Sequence, residues 1–317
     1  MKILVTGGLG FIGHNIVRIL ENFNHDVRII DNLTDYGIIP RQELDYLMNE
    51  RTNKITSRDI VVADISNPLD DMLFEDIDVV IHLASFPRQK VVNKNPSAGS
   101  RVMSEGLLNL LELSVKHHVT KFVYASSSMV YGNFDHTNIK EDAVCMPIGQ
   151  YGIMKLAGEW LVRDYTRQYG LQHTIVRPSA VYGPYDVEDR VISKFFAAAM
   201  RDEELQVHGA DEQLDFTFVD DTAMGIALAA ISDKSLNETY NISRGQSHTL
   251  LAAADLVTKI VGKGTVSVGK RDPSFPVRGQ LSIKKAIKDF EYHPIVNLDQ
   301  GLTKYYEWLK QIKLQNS

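Results

Sequence analysis

The chain has 317 residues, enough for one large domain or two moderate ones with a substantial core. Its 44% hydrophobic and 23% charged residues are the balance of an ordinary globular protein, and a net charge of −6 excludes the basic footprint of a general nucleic-acid binder. One cysteine, Cys145, leaves no internal disulfide and fits a reducing, cytoplasmic compartment, while no apolar run reaches the ~20 residues of a membrane helix.

The N-terminus is a lysine, a short apolar strand over residues 2–5 and then glycines, so no secretory leader is expected. Apolar positions at 12, 16, 17, 19 and 20 carry a helical period over residues 11–22. Strand patterns return at residues 26–30 and 78–83, and a long helix is expected over 97–118 before a strand at 121–125. A helix from 151 to 169, stopped by Gly170, leads to a strand at 172–177. Val- and Ile-rich strands alternating with helices mean parallel strands joined by right-handed crossovers.

After Pro178 the rhythm loosens into a helix near 189–202, short strands near 205–208, 215–219 and 240–243, a helix over 249–262 and a last helix from Asp299. The expected fold is α/β: a Rossmann-type doubly wound parallel sheet with a smaller mixed α/β C-terminal region for substrate. The expected division is 1–178 for the nucleotide domain, with a returning segment at about 219–243, and 179–218 with 244–317 for the substrate region.

Strand, glycine turn and helix come together at Thr6-Gly7-Gly8-Leu9-Gly10-Phe11-Ile12-Gly13. Glycines let a backbone approach a pyrophosphate held at a helix N-terminus. Two alignments are open, one on Gly8, Gly10 and Gly13 and one on Gly7, Gly10 and Gly13. Asp31 ends the second strand about 20 residues further on, where a carboxylate accepts ribose hydroxyls and repels a 2′-phosphate. That favours NAD over NADP.

Tyr151 and Lys155 stand four apart on the helix from 151, on one face. An ammonium beside a phenol favours phenolate and is expected to lower the tyrosine pKa, so that Tyr151 exchanges a proton with a substrate hydroxyl as hydride leaves the same carbon. Ser127, at the end of the preceding strand, is placed to hydrogen-bond that hydroxyl. Tyr306 and Lys310 repeat the spacing, but neither a serine-rich strand end nor a glycine turn leads into them. No pair among the scattered histidines has ligand spacing with carboxylates or thiols, so no metal site is expected.

These motifs, with Asp31-Asn32, Asp64-Ile65, His82-Leu83-Ala84, Ser126-Ser127-Ser128-Met129-Val130-Tyr131-Gly132, Arg177-Pro178, Val181-Tyr182-Gly183-Pro184 and the Asp215-to-Asp220 stretch, run over nearly the whole length. Together they resemble the extended short-chain dehydrogenase/reductases, in the nucleotide-sugar epimerase/dehydratase group. The resemblance implies Ser127, Tyr151 and Lys155 as the catalytic set, with Tyr151 as acid/base and Lys155 as its partner and ribose ligand. It implies NAD held by Gly7, Gly10, Phe11, Ile12, Gly13, Asp31, Asn32, Asp64, Ile65, Leu83, Ala84, Ser85 and Pro178. It places substrate near Arg88, Ser127, Ser128, Ala180 and Arg278, and implies a homodimer through the helices at 97–118 and 151–169.

Where dehydratases of this group carry an Asp-Glu pair, the chain has Ser128 and Met129, so 4,6-dehydration is disfavoured. Ala180, Met103 and Leu214 replace the asparagines and arginine usual in relatives, which removes donors from the substrate side. Arg88, Lys90, Arg190 and Arg278 are the available replacements, and Arg278 best matches a late phosphate-binding arginine. The leading expectation is an NAD-dependent epimerase acting at C4 of a UDP-hexose. A nucleotide-sugar or keto-sugar reductase and a non-catalytic nucleotide-sensing module are the alternatives.

Overall fold

In the computed structural model, which describes residues 1–86, 88–134, 138–186 and 190–315 (the last three as backbone), the first half of the chain builds one sheet. Strands β1 (Lys2–Thr6), β2 (Asp26–Asp31), β3 (Ile60–Val62), β4 (Val79–His82), β5 (Lys121–Ala125) and β6 (Gln172–Pro178) lie in it. A seventh member is a late strand, Glu238–Ile242. The order across the sheet is Glu238–Ile242, β6, β5, β4, β1, β2, β3, and every neighbour is parallel.

Helices cover both faces because the strands are apolar on both. In β1, Ile3 and Val5 join one core and Leu4 the other, all fully buried. The first core is closed by α1 (Gly13–Asn22) through Ile16, Val17, Ile19 and Leu20. The second is closed mainly by the helices that follow β4. Between β2 and β3 lies α2 (Arg41–Thr52), and after β4 come α3 (Gln89–Lys94), α4 (Pro96–Ser100) and α5 (Gly106–Lys116). The single long helix expected over 97–118 is therefore interrupted: residues Arg101–Glu105 form a π turn between α4 and α5. Such turns carry an extra residue per helical repeat and re-aim side chains, often near functional sites. Helix α6 (Gln150–Tyr169) ends at Gly170, whose φ of 74° is the left-handed cap that the sequence signals.

The remaining elements are β7 (Val181–Tyr182), α7 (Val191–Met200), β8 (Glu204–His208), β9 (Gln213–Leu214), β10 (Thr217–Phe218), α8 (Val219–Ile231), β11 (Glu238–Ile242), β12 (His248–Thr249), α9 (Leu250–Val261), β13 (Thr265–Gly269), α10 (Lys284–Phe290) and α11 (Leu298–Gln315). Helix α8 returns to the sheet beside α1, with Ala223, Ile226, Ala227 and Ala230 in the first core. Lys121 crosses from β5 to reach it, its buried ammonium donating to the carbonyls of Ala229, Ala230 and Ser232 at 2.7, 3.0 and 2.8 Å. Three carbonyls at a helix end satisfy the charge that burial would otherwise penalise. A third core gathers Phe195, Phe196, Leu205, Val207, Leu214 and Leu302 from the elements after β6. Of the strand expected over 215–219 only β10 forms, with β9 ending just before it at Leu214, because Asp215 turns inward between the two. Its carboxylate accepts from Ser243 Oγ, the Leu281 amide and the Gly245 amide at 2.9, 3.0 and 3.1 Å, fastening three segments at one buried point.

Candidate active site

All seven strands point their carboxyl ends the same way, and the order reverses between β1 and β4, where α/β sheets open a ligand crevice. The glycine turn leaves β1 at this edge. Gly7 has φ 72°, and a Cβ there would stand 2.8 Å from the Ala84 amide nitrogen. A Cβ on Gly13 would stand 2.1 Å from the Gly7 carbonyl oxygen. Gly7 needs glycine for its positive φ as well as its neighbour, Gly13 for its neighbour alone, and a Cβ on Gly8 would meet Ile29 Cγ2 at 2.8 Å. The amides of Phe11, Ile12 and Gly13 open α1, where the first N–H groups of a helix have no intrahelical acceptor.

Asp31 ends β2 with its carboxylate accepting the Leu9 amide at 3.0 Å and the Leu33 amide at 2.9 Å, one on each oxygen. Burial pushes its pKa up, opposed by these two bonds and by Arg51. Each oxygen keeps a lone pair for a ribose hydroxyl. Asn32 donates to Asp64 at 3.2 Å, and Ser66 fixes the other oxygen of Asp64 through its hydroxyl at 2.7 Å. Ile65 is buried. A cavity of about 340 Å³ lined by Tyr36, Asp64, Ser66, Phe86, Lys94 and Arg101 lies at this end. The rings of Tyr36 and Phe86 stack over it with centroids 4.0 Å apart. Its lining does not include Ser127, Tyr151 or Lys155, so this hollow lies apart from those three side chains. Leu83 and Ala84 follow β4 with both amides on the Thr6 carbonyl at 3.0 Å, and half-buried Ser85 and Pro178 complete the edge. The positive-φ cradle, the acceptor at Asp31 and the aromatic hollow together fit a dinucleotide such as NAD.

Ser127, Tyr151 and Lys155 converge at the end of β5. Ser127 is extended, with φ −161°, and its Oγ accepts the Met129 amide at 3.2 Å and hydrogen-bonds with Tyr151. Lys155 is buried and donates to the Ala125 carbonyl at 2.7 Å, with Nζ 5.9 Å from the centre of the Tyr151 ring. The expected lowering of the phenol by Lys155 is not what the structure shows. Burial raises the Tyr151 pKa, and the opposing influences are Arg190 and the Ser127 bond. Lys155 is the strongly perturbed group: desolvation brings it down to about 7, with Glu159 acting the other way. The ammonium sits behind the phenol and spends its short bond on a backbone carbonyl.

The substrate-side residues are less gathered. Ser128 is buried beside Ser127. Ala180 holds φ 37°, a left-handed value an asparagine tolerates better than alanine. Arg88 points at Asp186, 3.8 Å away, which Arg190 also meets at 3.1 Å. Lys90 lies over the Phe275 ring. Leu214 is in the third core and offers no donor. Arg278 is half-buried, its pKa lowered by burial to about 10 and supported by Glu212, which also binds Arg271 at 2.7 Å. Tyr306 stacks on Phe196 in the third core and Lys310 pairs with Glu307, so the second Tyr-Lys spacing is structural.

Three features had no place in the motif reading. Arg51, from α2, lies buried under the glycine turn. Tyr36 roofs the hollow. Glu159 extends the Tyr151, Lys155 series by one more turn, a spacing the sequence does display.

A family model, the NAD dependent epimerase/dehydratase family, matches residues 3–243. A Bacillus subtilis protein named "Uncharacterized UDP-glucose epimerase YtcB" is 30% identical, with 98% of this chain and 99% of that protein covered. The crystal structure of a UDP-glucuronic acid 4-epimerase from Bacillus cereus, in complex with UDP-glucuronic acid and NAD, superposes with a TM-score of 0.90 at 31% identity, covering 98% of this chain and 100% of that one. A UDP-glucose 4-epimerase from Thermotoga maritima, solved with UDP-glucose, gives 0.85 at 28% identity over 99% and 100%.

Proposed function

We propose that this chain, which belongs to the NAD dependent epimerase/dehydratase family, interconverts the C4 epimers of a UDP-hexose with NAD as its resident cofactor. The observation that carries this reading is the meeting of Ser127 and Tyr151 at the carboxyl end of β5, with Ser128 and Met129 beside them where a dehydratase needs an acid pair. Two solved epimerases of UDP-sugars with the same fold support it.

NAD, when bound, accepts hydride from the carbinol carbon and returns it. The chain's own part is proton handling and orientation. Ser127 Oγ holds the C4 hydroxyl in line with Tyr151. Tyr151 Oη takes that proton and later gives it back to the keto oxygen, after the sugar has turned its other face. Buried Lys155 lies on the far side of the phenol, where its charge does not overcome the burial that raises the Tyr151 pKa; the positive nicotinamide ring would add the further charge that favours the phenolate during transfer. Gly7, Gly10 and Gly13 admit the pyrophosphate to the helix end, and Asp31 accepts the ribose hydroxyls. Arg278 is the assigned diphosphate donor.

Replacing Tyr151 by Phe tests the assignment: turnover is expected to vanish while the bound NAD content stays. Retained turnover would remove Tyr151 from the chemistry.

The nucleotide unit comprises residues 1–178 with 219–243, and the substrate unit the remainder. The chain works as a homodimer through α5 and α6, where Ile153, Ala157 and Trp160 form an exposed stripe at positions i, i+4 and i+7. The cytoplasm is the assigned compartment. No helix among the described residues is long and apolar enough to cross a membrane.

A further inference from the structure

Among the described residues, the carboxylate buried behind the catalytic set is Glu159. It is fully buried on α6, one turn past Lys155 and two past Tyr151. Four donors converge on its two oxygens. Ser126 Oγ donates to Oε1 at 2.6 Å and Arg177 Nε to the same oxygen at 2.8 Å. Arg177 Nη2 and Arg163 Nη2 donate to Oε2 at 2.7 and 3.1 Å. Arg177 is itself fixed, giving Nη1 to the Tyr131 hydroxyl at 2.9 Å and to the Glu141 carbonyl at 3.0 Å.

The consequence lies in which residues these bonds adjoin. Ser126 immediately precedes Ser127, and Ala125, one residue earlier, accepts the Lys155 ammonium. Two successive residues of the β5 end are thus tied to two successive turns of α6. We propose that Glu159 is a positioning residue for the reaction, which through Ser126 fixes the segment carrying Ser127 and through α6 supplies the counter-charge of the Lys155 ammonium.

The groups facing Lys155 single out this carboxylate. From β4 comes His82, which burial keeps neutral with a pKa of about 3. From β5 comes Tyr124, whose ring lies 5.3 Å from Nζ and whose phenol burial holds neutral. On α6 stand Tyr151, raised by burial, and Arg163; from β6, Arg177 reaches in only as far as Glu159. Of these groups Glu159 alone carries negative charge, and it opposes the desolvation that brings Lys155 to about 7. A carboxylate serving only to neutralise buried Arg177 would need neither the Ser126 bond nor its register with Tyr151 and Lys155.

The proposal rests on the epimerase reading for its kinetic part, but the titration of Lys155 is readable whatever the reaction. The ¹⁵N resonance of Lys155 Nζ, assigned with Lys155→Met, is followed against pH in NAD-loaded wild type and Glu159→Gln. The midpoint is expected to fall by about one unit or more, as when an opposite charge is withdrawn at close range. The basic limb of kcat follows it down, while KM for the nucleotide sugar moves by less than about threefold. A lower melting temperature with an unmoved midpoint and an unmoved pH profile would show a counter-ion of Arg177 and nothing more. If Glu159→Gln does not fold, Ser126→Ala keeps the charge and removes only the bond. There kcat is expected to drop about tenfold or more with the Lys155 midpoint unchanged, and an unchanged kcat overturns the proposal. If wild type performs no epimerisation, the functional reading fails and the midpoint still decides the electrostatic role.

Discussion

Arg51 donates from Nη2 to the carbonyl of Tyr185 at 2.7 Å, joining α2 to the loop that leaves β7. The same guanidinium gives Nη1 to the Leu9 carbonyl at 3.2 Å, inside the glycine turn. Tyr185 is keyed in place by His14 and Trp308, with ring centroids at 5.5 and 5.0 Å. One buried side chain therefore holds the cofactor turn against the second half of the chain. Arg51→Met leaves two carbonyls without their donor, at a cost of about 1–3 kcal/mol for each that water cannot reach. The variant is expected to lose NAD during desalting that leaves wild type loaded, measured as nucleotide released per protein.

Ala180 offers a test of backbone strain. At φ 37° an alanine crowds its own carbonyl, a penalty of roughly 1–2 kcal/mol that glycine avoids. Glycine gives back part of this through the freedom of its unfolded chain, roughly 0.5–1 kcal/mol. Ala180→Gly is expected to be more stable by about 0.5 kcal/mol, read as a rise of roughly 1 °C in thermal unfolding.

Acid should unfold the protein through its buried histidines. His82 is fully enclosed with Nδ1 2.8 Å from Thr6 Oγ1, and burial lowers its pKa from 6.5 to about 3; His14 is shifted alike. Below 6.5 the unfolded chain binds protons that the folded chain refuses, so stability falls as pH drops from there toward 3. Near pH 4.5 the loss is about 3 kcal/mol per histidine. Urea titrations across this window are expected to show that slope, and His82→Gln to flatten it.

The proposed dimer face is equally direct to probe. Trp160 is 65% exposed on α6, with the Arg163 guanidinium 5.4 Å over its ring. Trp160→Glu places a charge at one end of the apolar stripe. Light scattering after gel filtration is expected to find twice the chain mass for wild type and the chain mass for the variant.

The sequence displays the parts of this fold that repeat and hides those that meet across it. Helix α6 and β1 are legible because their apolar spacing is regular and because Gly170 marks a stop. Helix α2 is not, since its only buried side chains are Leu44, Leu47 and Arg51, too sparse for a period. The helix read at 97–118 has the right span, but no pattern announces the π turn that breaks it. The Tyr151 and Lys155 spacing recurs at Tyr306 and Lys310, so only Ser127 and the glycine turn upstream single out the first pair in the sequence, and its electrostatics follow from burial, which reverses the expected sign at the phenol. The contact from Arg51 to Tyr185 spans 134 positions and leaves no trace in either local segment.

The central claim is that hydride leaves and returns to the same sugar carbon within one site. A UDP-hexose deuterated at C4, incubated with the purified protein and no added nicotinamide cofactor, puts it to the test by NMR. The C4 epimer is expected to appear with its deuterium retained, approaching an equilibrium mixture from either side. An unchanged panel of UDP-hexoses, or an oxidised or reduced sugar accumulating in proportion to added cofactor, would contradict it.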